Sequence, residues 1–245
     1  RIDIQVNGAS SCKGLHHDVG PAVAREVGRR ARQRGSVVGD NQRIGVVEGS
    51  PRLEVRTHPD HQARHDIERA YLKAIAGAQR EIIIANAYFL PGRRFRKALL
   101  EAARRGVRVV LFLQGKVEYR LQHYATLALY DELLHAGIEI HEYRASFLHA
   151  KVAVMDGEWA TVGSSNIDPF SLWLGREANL VVRDGGFAES LRASLLHEIS
   201  NAARPVEYSA WRVQSMWKRL LLRTSYSIAR LLTGVIGYAR GGDDV

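Results

Sequence analysis

Cysteine and methionine are scarce in this sequence of 245 residues, which contains one cysteine and two methionines. Because Cys12 has no second cysteine to pair with, no disulfide can form within the chain, and this fits a reducing compartment. Arg1 rather than methionine opens the sequence, and no stretch has the pattern of a secretory signal peptide. We therefore interpret the sequence as a fragment, or as a gene product without its natural start.

Three signatures of common enzyme classes are also missing. His61 and His65 have the spacing of a zinc-binding helix, but position 62 is Gln where a metalloprotease has Glu. Gly115 and Lys116 lack the upstream glycine and the Ser or Thr of a phosphate-binding P-loop. No Gly-x-Ser-x-Gly elbow is present. The sequence therefore indicates neither a metal site nor a bound cofactor.

Basic residues are in excess, with 35 Lys and Arg against 26 Asp and Glu, and the net charge is +9. This excess favours an anionic partner such as nucleic acid, acidic lipid or a phosphorylated substrate, and charge alone does not choose among them. Apolar residues make up 46% of the chain, which is enough for a sizeable core.

Strand and helix patterns alternate from residue 51 onward. Three segments have apolar residues at a helical 3–4 spacing: DIERAYLKAIAGAQ, GRRFRKALLEAARRG and ATLALYDELLHAG. Runs typical of buried strands lie between them: EIIIANAYF, VRVVLFL and IEIHEY. This alternation predicts an α/β layered fold, in which a mixed, mostly parallel sheet is flanked by helices.

The stretch HAKVAVMDGEWATVGSSN, residues 149–166, carries the candidate chemistry. It predicts two adjacent strands joined by a hairpin turn at Asp156-Gly157. Alternation along the first strand places His149 and Lys151 on one side and Ala150 and Val152 on the core side. A lysine can neutralise phosphoryl oxygens, and a histidine with a pKa of about 6.5 can attack phosphorus or donate a proton.

Further polar residues follow the second strand. Ser164 and Asn166 offer donors for a phosphate, and Gly163 lets the backbone approach a ligand. Glu177 comes next along the chain, and a carboxylate beside a catalytic histidine fixes its tautomer and stabilises the imidazolium. We predict that Ser164 and Asn166 bind substrate phosphate and that Glu177 orients a histidine.

Together these residues resemble the H-x-K-x4-D-x6-G-S-x-N motif of the phospholipase D superfamily, which is matched at every position: His149, Lys151, Asp156, Gly163, Ser164 and Asn166. The similarity runs from about residue 51 to residue 201 and points to bacterial cardiolipin synthases of the B type. It implies a phospholipase D-like fold and a phosphatidyltransferase or phosphodiesterase that works through a phosphohistidine without a metal.

The resemblance also implies roles for individual residues. His149, Lys151 and Asp156 are the expected catalytic set, with Asp156 as structural or electrostatic support. Tyr88 belongs with Phe89 to a stretch similar to the family's aromatic-proline loop, and we expect Tyr88 to contact the substrate. In related enzymes the nucleophile is often assigned to the first copy of the motif, which favours His149 as the general acid and later the base.

The cardiolipin synthases that this sequence resembles carry two copies of the motif per chain, and the two build one site, whereas this sequence contains one His-x-Lys, at 149–151. The segment DVGPAVAREV, residues 18–27, resembles the segment that follows the first copy. We therefore expect a poorly ordered remnant of an N-terminal half over 1–50 and a catalytic domain with one motif over 51–205. The missing half or a second copy of the chain would complete the site.

The C-terminal stretch WKRLLLRTSYSIARLLTGVIGYA predicts an amphipathic helix. Arg219, Arg223 and Arg230 share a narrow polar face, and each would cost roughly 2.5–3.5 kcal/mol at the centre of a bilayer. A wide apolar face with an arginine edge instead suits the plane of an anionic membrane surface. We predict that 206–245 is a membrane-associating tail with these arginines at the membrane, and the alternative is a helix packed on its own domain.

These predictions combine into a cardiolipin synthase, which transfers phosphatidyl from one phosphatidylglycerol to another and releases glycerol. We expect it at the cytoplasmic membrane as a peripheral protein, with anionic phospholipid as its partner and without nucleic acid. Two alternatives stay open. A homodimeric single-motif phosphodiesterase or nuclease fits the basic charge but not the apolar tail, and a catalytically dead membrane-binding remnant fits the missing first motif.

Overall fold

The computed structural model describes residues 52–57, 66–169, 171, 177–213 and 215–241, with side chains over 66–169, 171, 177–213 and 215–232. The predicted remnant over 1–50 lies outside the described residues, so its predicted lack of order stays a prediction. The described part forms a layered α/β structure in which helices cover both faces of one sheet.

In the described part of the chain, eight strands build the sheet: β1 (Arg52–Thr57), β2 (Glu81–Asn86), β3 (Arg108–Gln114), β4 (Glu139–Tyr143), β5 (Lys151–Met155), β6 (Trp159–Gly163), β7 (Ala178–Arg183) and β8 (Ala203–Pro205). Their order across the sheet is β1-β7-β6-β5-β2-β3-β4-β8. The central strands β2 and β3 are almost continuously buried, and this explains their uninterrupted apolar sequences.

Seven helices accompany the sheet: α1 (Asp66–Gly77), α2 (Arg93–Arg104), α3 (Arg120–Leu127), α4 (Tyr130–His135), α5 (Gly185–Ala202), α6 (Tyr208–Arg212) and α7 (Met216–Gly241), all within the described residues. One face of the sheet packs on α1 to α4, with Tyr71, Phe95 and Leu133 in the core. The other face packs on α5 through Phe187 and Leu191. The Asp184 carboxylate caps α5 by accepting from the N–H of Phe187 at 2.7 Å.

The mixed sheet agrees with the sequence prediction, but most of its neighbouring strands are antiparallel. Only β2 with β3 and β3 with β4 are parallel among the seven pairings of the described strands. The hairpin β5–β6 enters the sheet beside β2 in the antiparallel sense, and β7, β1 and β8 continue that sense at the two sides. The prediction of a mostly parallel sheet was therefore wrong, because alternation along the chain does not fix which strands become neighbours.

A second difference concerns ATLALYDELLHAG, which the pattern predicts as one helix. The structure begins this region at Arg120 and divides it into α3 and α4 around Ala128 and Leu129. The N–H of Leu129 donates to the carbonyl of Thr126 at 3.0 Å, three residues back, and this tighter turn interrupts the regular ladder. The helix ends at Gly137 as expected, with a positive φ of 81°.

The C-terminal helix α7 forms as predicted and packs against α3. Leu222, Ser225 and Ala229 are buried on its docked side, and the Tyr226 hydroxyl accepts from Arg96 at 3.0 Å. Over the described residues, no helix has both the length and the hydropathy that a membrane crossing requires.

Candidate active site

The motif residues converge at one edge of the sheet, which we call the site edge. It is formed where β2, β3 and β6 end and where β5 and β7 begin, because β5 runs antiparallel to β2 and β6, and β7 antiparallel to β6. Asn86 at the end of β2 pairs with Lys151 at the start of β5, and Gly163 at the end of β6 pairs with Asn179. Segments distant in sequence thus meet at this edge.

His149 and Lys151 stand where β5 begins. The carbonyl of Ala150 accepts from the N–H of Ala87 at 2.9 Å, which extends the pairing with the chain after β2. Ala150, together with Val152, packs in the core against α5, as the alternation predicts. His149 is exposed at the surface, whereas Lys151 is only 5% exposed, and its Nζ donates to the carbonyl of His149 at 3.1 Å. The edge therefore combines an accessible imidazole with an ammonium in a poorly hydrated position.

Ser164 and Glu177 meet across β6 and β7. The Ser164 hydroxyl donates to the Glu177 carboxylate and accepts from the N–H of Ala178 at 3.1 Å. Burial raises the pKa of Glu177, the Ser164 hydrogen bond and the positive charge of Lys151 oppose this rise, and the negative charge of Asp168 adds to it. Glu177 thus lies close enough to Lys151 and Asp168 for their charges to influence its protonation.

Gly163 permits this close approach of β6 and β7. A Cβ atom at position 163 would lie 2.1 Å from Oδ1 of Asn179, far inside van der Waals contact. Asn179 is fully buried, where its Oδ1 accepts from the N–H of Ser165 at 3.3 Å and its Nδ2 donates to Thr161 at 3.3 Å. The glycine of the motif therefore makes room for an asparagine that holds the following serine turn.

Asn166 and Asn86 join the turn after β6 to the chain after β2. The N–H of Tyr88 donates to Oδ1 of Asn166 at 3.3 Å, and the N–H of Ile167 donates to Oδ1 of Asn86 at 3.1 Å. Both asparagines are buried. The two loops are thus fixed to each other, which orders the polar groups around Lys151.

The predicted aromatic stretch divides between site and core. The Tyr88 hydroxyl donates to the carboxylate of Glu118, and its ring contacts Tyr119 edge-on with the centroids 5.7 Å apart. Phe89 is only 1% exposed and belongs to the core packed on α1 to α4. Tyr88 therefore stands at the site edge, whereas Phe89 supports it from within.

Asp156 lies at the opposite end of β5, away from His149 and Lys151. It sits in the β5–β6 turn with a positive φ of 55°, followed by Gly157 at 69°, the backbone combination for which Asp-Gly is suited. Its carboxylate accepts three backbone N–H groups, from Gln79 and Arg80 at 2.8 Å each and from Glu81 at 2.9 Å. The structure therefore does not bring Asp156 to the site edge with the other members of the predicted catalytic set.

Comparison with known proteins identifies the family of this chain. Residues 71–199 match the family described as cardiolipin synthase, phospholipase D-like domain, which is more than half of the chain. The chain belongs to this family. The match contains His149, Lys151 and the whole of the motif.

Two curated relatives of this family are cardiolipin synthases. Cardiolipin synthase B of Shigella flexneri is 42% identical over 183 residues, which are 75% of this chain and 44% of the relative. Cardiolipin synthase A of Klebsiella pneumoniae is 34% identical over 166 residues, which are 68% of this chain and 34% of the relative. The chain therefore spans less than half the length of these relatives.

Solved structures share the fold at low sequence identity. Nuc of Salmonella typhimurium, a phospholipase D family member, superposes with a TM-score of 0.54 at 23% identity, covering 64% of this chain and 99% of Nuc. Phosphatidylserine synthase of Haemophilus influenzae gives a TM-score of 0.56 at 13% identity, covering 75% of this chain and 46% of the synthase. The phospholipase D-like fold predicted from the motif is thereby confirmed.

Sequence reasoning missed three polar residues of this phospholipase D-like site. Asn86 and Gln114 end the buried strands β2 and β3, and a polar residue at the carboxyl end of an apolar strand is a recognisable signal in α/β sheets. Asp168 is 3% exposed and accepts from the N–H and hydroxyl of Ser171 at 3.1 and 3.0 Å. Its role could not be read from the sequence, because only the fold brings it close to Glu177 and Tyr88.

The three arginines predicted to contact a membrane differ in their surroundings. Arg219 and Arg223 are exposed on α7, whereas Arg230 is half-buried and its Nη1 atom is fully buried on the docked side.

Within the residues described, no group of three or more His, Cys, Asp or Glu side chains is arranged to hold a metal ion.

Proposed function

We propose that the site edge is one half of a phosphatidyl-transfer site and that the intact protein makes cardiolipin from two phosphatidylglycerol molecules, with release of glycerol. The observation that carries this proposal is the exposed His149 beside the buried Lys151, in a chain 42% identical to a cardiolipin synthase B. A phosphodiester substrate needs such a pair, because negative charge must be held while a proton moves at the reacting oxygen.

The reaction proceeds in two successive displacements at phosphorus. In the first, an imidazole nitrogen bonds to phosphorus while the bond from phosphorus to the oxygen of the glycerol headgroup breaks. His149 gives its proton to this leaving oxygen. In the second, His149 takes the proton of the acceptor hydroxyl, whose oxygen bonds to phosphorus as the phosphorus–nitrogen bond breaks. The nucleophilic histidine comes from a second copy of the motif, in the rest of the protein or in a second chain.

Lys151 and Asn166 are the groups that hold the phosphate in this scheme. Both are almost fully buried, at 5% and 9% exposure. A donor in a poorly hydrated position interacts more strongly with phosphoryl oxygens than an exposed one and needs no reorganisation when charge develops. The Ser164 hydroxyl can donate to the phosphate when its single proton turns away from the Glu177 carboxylate, and Glu177 orients a catalytic histidine.

Tyr88 contacts the substrate in the same scheme. Burial and the neighbouring Glu118 carboxylate raise the pKa of its phenol, so the hydroxyl keeps its proton throughout the physiological range. Its backbone N–H already binds Asn166 at 3.3 Å, which places its ring beside the phosphate-binding turn.

Reconstitution of the intact protein with phosphatidylglycerol vesicles tests the proposal. We expect cardiolipin and free glycerol in equal amounts, measured by mass spectrometry of the lipids and an enzymatic assay of glycerol. Plasmid DNA and a diester of p-nitrophenol in parallel reactions test for a nuclease or general phosphodiesterase. Cleavage of DNA without cardiolipin formation would replace this proposal with the nuclease, and inactivity towards every substrate would favour a binding remnant.

We further propose that α7 rests on the membrane surface through its outward side. This side carries large exposed apolar side chains, which we call the outward stripe: Trp217, Leu220, Leu221, Ile228, Leu231 and Leu232. Arg219 and Arg223 are exposed in the arc of the helix between the stripe and the docked side. Apolar side chains with cationic neighbours suit the boundary between headgroups and acyl chains of an anionic leaflet.

Vesicle co-sedimentation of matched variants tests this surface. Replacing Arg219 and Arg223 by Gln should weaken binding to phosphatidylglycerol vesicles about thirtyfold, at about 1 kcal/mol for each arginine. Arg94→Gln with Arg104→Gln, two exposed arginines of α2, is the control for net charge. Equal loss in the two pairs would indicate a general charge effect and would remove α7 from the proposed membrane surface.

A further inference from the structure

The loop between β4 and β5, residues 144–150, presents His149 at the site edge. Its first four residues, 144–147, are exposed. On the side of β5 the chain is fixed twice, because the carbonyl of Ala150 accepts from the N–H of Ala87 at 2.9 Å and the carbonyl of His149 accepts from Lys151 at 3.1 Å. The place of the imidazole therefore also depends on what holds the loop on the side of β4.

Gln114 holds the loop immediately before His149. It ends the buried strand β3, and its side chain is only 8% exposed. Its Oε1 accepts from the N–H of Leu148, the residue before His149, at 2.7 Å. The amide faces Leu148 with its oxygen because a backbone N–H can only donate. The buried strand β3 thus reaches across to the catalytic loop through one side chain.

The burial of this amide is costly for the fold. Its Nε2 atom is enclosed by protein and has no hydrogen-bond partner among the described residues. A buried N–H without a partner lowers stability, and a leucine of similar size at the end of an apolar strand would avoid that loss. Stability alone therefore explains Gln114 poorly, whereas a need to fix Leu148, and with it His149, explains why an oxygen stands at this place.

Lys116 binds the same loop nearer its start. Its Nζ donates to the carbonyl of Ala145 at 3.0 Å and lies 5.9 Å from the centre of the Phe147 ring, within the range of a cation–π contact. Both contacts lie at the surface, where such interactions are weaker than in a buried position. Lys116 therefore supports the loop less firmly than Gln114 does.

Gly115, between these two residues, lets the loop come close to the end of β3. Its N–H donates to the carbonyl of Tyr143 at 2.9 Å. A Cβ atom at position 115 would lie 2.8 Å from Cγ of Arg144 and 2.9 Å from the carbonyl oxygen of Tyr143, inside van der Waals contact. A side chain at this position would therefore push away the start of the loop that carries His149.

We propose that Gln114, Gly115 and Lys116 form a loop clamp that positions His149 for proton transfer, with Gln114 as the main positioning residue. The inference rests on the proposed phosphatidyl transfer, and the clamp acts through His149 without touching substrate. A proton moves between groups at hydrogen-bond distance, and a misplacement of about 1 Å can lower a rate about a hundredfold. The pair Gly115-Lys116, which does not form a P-loop, thus has a role in holding the catalytic loop.

Replacement of Gln114 by Leu in the intact protein removes the acceptor and keeps the size of the side chain. With phosphatidylglycerol vesicles we expect kcat for cardiolipin formation to fall tenfold to a hundredfold, on the order of the effect of a 1 Å misplacement. KM should change little, because Lys151 and Asn166 keep their places. Asp184→Ala is the matched control, since its carboxylate likewise accepts one backbone N–H at 2.7 Å, at the start of α5. It should lower the melting temperature and leave kcat unchanged.

Further variants test whether the oxygen and the close approach matter. Gln114→Glu keeps an oxygen at the same reach and should recover most of the rate, whereas the shorter Gln114→Asn should not. Gly115→Ala should lower kcat by displacing the loop, and Lys116→Met should lower it only about twofold to threefold, in line with a surface contact. Lys73→Met, an exposed lysine of α1, is the control for Lys116. Equal kcat in wild type, Gln114→Leu and Gly115→Ala would overturn the proposal.

A change of leaving group separates a displaced His149 from a general loss of active protein. With phosphatidyl-p-nitrophenol as donor, the leaving phenolate is stable without a proton, so the first displacement scarcely needs a general acid. Gln114→Leu should therefore slow the first-turnover release of p-nitrophenol much less than it slows cardiolipin formation. An equal loss with the two donors would show that Gln114 does not act through proton transfer by His149.

Hydrogen exchange tests the clamp independently of activity. In Gln114→Leu the amides of Leu148 and His149 should exchange about tenfold faster than in wild type, because one hydrogen bond is lost, while that of Val152 in β5 stays unchanged. Unchanged exchange at Leu148 would overturn the clamp even where phosphatidyl transfer is confirmed. A wild-type protein that transfers no phosphatidyl would overturn the proposed function, and faster exchange at Leu148 in the variant would then still support a clamp on this loop.

Discussion

The two ends of β5 differ in how their polar groups are satisfied. At the end opposite the site edge, which we call the far edge, Asp156 accepts three backbone N–H groups. Beside it, Arg108 binds the carboxylates of Glu81 and Glu139 at 2.8 Å each, and Arg192 also binds Glu81. At the site edge, by contrast, the buried Nδ2 of Asn86 and Nε2 of Gln114 have no hydrogen-bond partner among the described residues.

This contrast indicates that residues of one motif have different roles, one in stabilising the fold and one at the proposed site. A charge whose hydrogen bonds are all made within the fold stabilises the fold, and it has little capacity left for a ligand. Buried polar groups that are left without a hydrogen-bond partner instead lower stability, so the site edge is the less well satisfied end of the strand. Under the proposed function, the motif thus joins a catalytic end, with His149 and Lys151, to an anchoring end, with Asp156.

Replacement of His149 by Ala is the strongest test of the catalytic end. We expect phosphatidyl transfer to fall by about 10²–10⁴, because a general acid and base is lost, while the melting temperature stays that of wild type. The exposed His197 on α5 provides a matched control, and His197→Ala should keep full activity. Cardiolipin can be measured by thin-layer chromatography of lipids from cells that express each variant. Wild-type amounts of cardiolipin in the His149→Ala cells would contradict the assignment.

Replacement of Asp156 by Ala should affect the anchoring end in the opposite way. Three backbone N–H groups would lose a charged acceptor, so we expect the free energy of unfolding to fall by about 2–4 kcal/mol in urea titrations. The exposed Glu158, whose contact with Arg80 is 3.7 Å, serves as control, and Glu158→Ala should change stability by less than about 0.5 kcal/mol. An Asp156→Ala protein of full stability but without activity would show that this aspartate acts in catalysis.

Much of this division was contained in the sequence. Asp156 follows Lys151 by five residues, and extended chain rises about 3.3 Å per residue, so the two side chains must stand about 16 Å apart. The sequence also predicted the turn at Asp156-Gly157 and the buried apolar strands, and the structure contains both. Grouping Asp156 with the catalytic pair ignored this length, whereas a structural or electrostatic supporting role for Asp156 fits its three hydrogen bonds to backbone N–H groups.

Other features depended on tertiary contacts that no local pattern encodes. The order of strands in the sheet is one, because β5 could equally have paired with a different neighbour. The docked side of α7 is another, since its periodicity shows an apolar surface on most sides but not that Leu222 and Ala229 are the residues that face α3. The hydrogen bond between Gln114 and Leu148 is a third, because it joins residues 34 positions apart.

The pH dependence of stability sharpens the description of the far edge. Burial alone would raise the pKa of Asp156, but the three backbone N–H donors outweigh it, and the pKa lies below the ordinary value of 3.8. The carboxylate therefore stabilises the fold fully above about pH 3.8, and this contribution is lost as the pH falls through the lower folded value. Asp156→Asn cannot titrate, so its stability deficit relative to wild type should shrink in urea titrations between pH 6 and pH 2. A deficit independent of pH would mean that the charge itself contributes nothing.

The smallest effect that we expect is that of metal chelation on the catalytic end. If Lys151, Asn166 and Ser164 hold the phosphoryl oxygens, they supply the positive charge and donors that metal enzymes take from ions. EDTA should then leave the rate of cardiolipin formation unchanged, while a metal-dependent phosphatase in the same buffer loses its activity. Loss of activity that magnesium or zinc restores would transfer the charge-neutralising role from Lys151 to an ion. The contrast between the two edges would then have to be drawn again, because the unpartnered amide N–H groups of Asn86 and Gln114 cannot coordinate a cation, and other groups of the site edge would have to hold it.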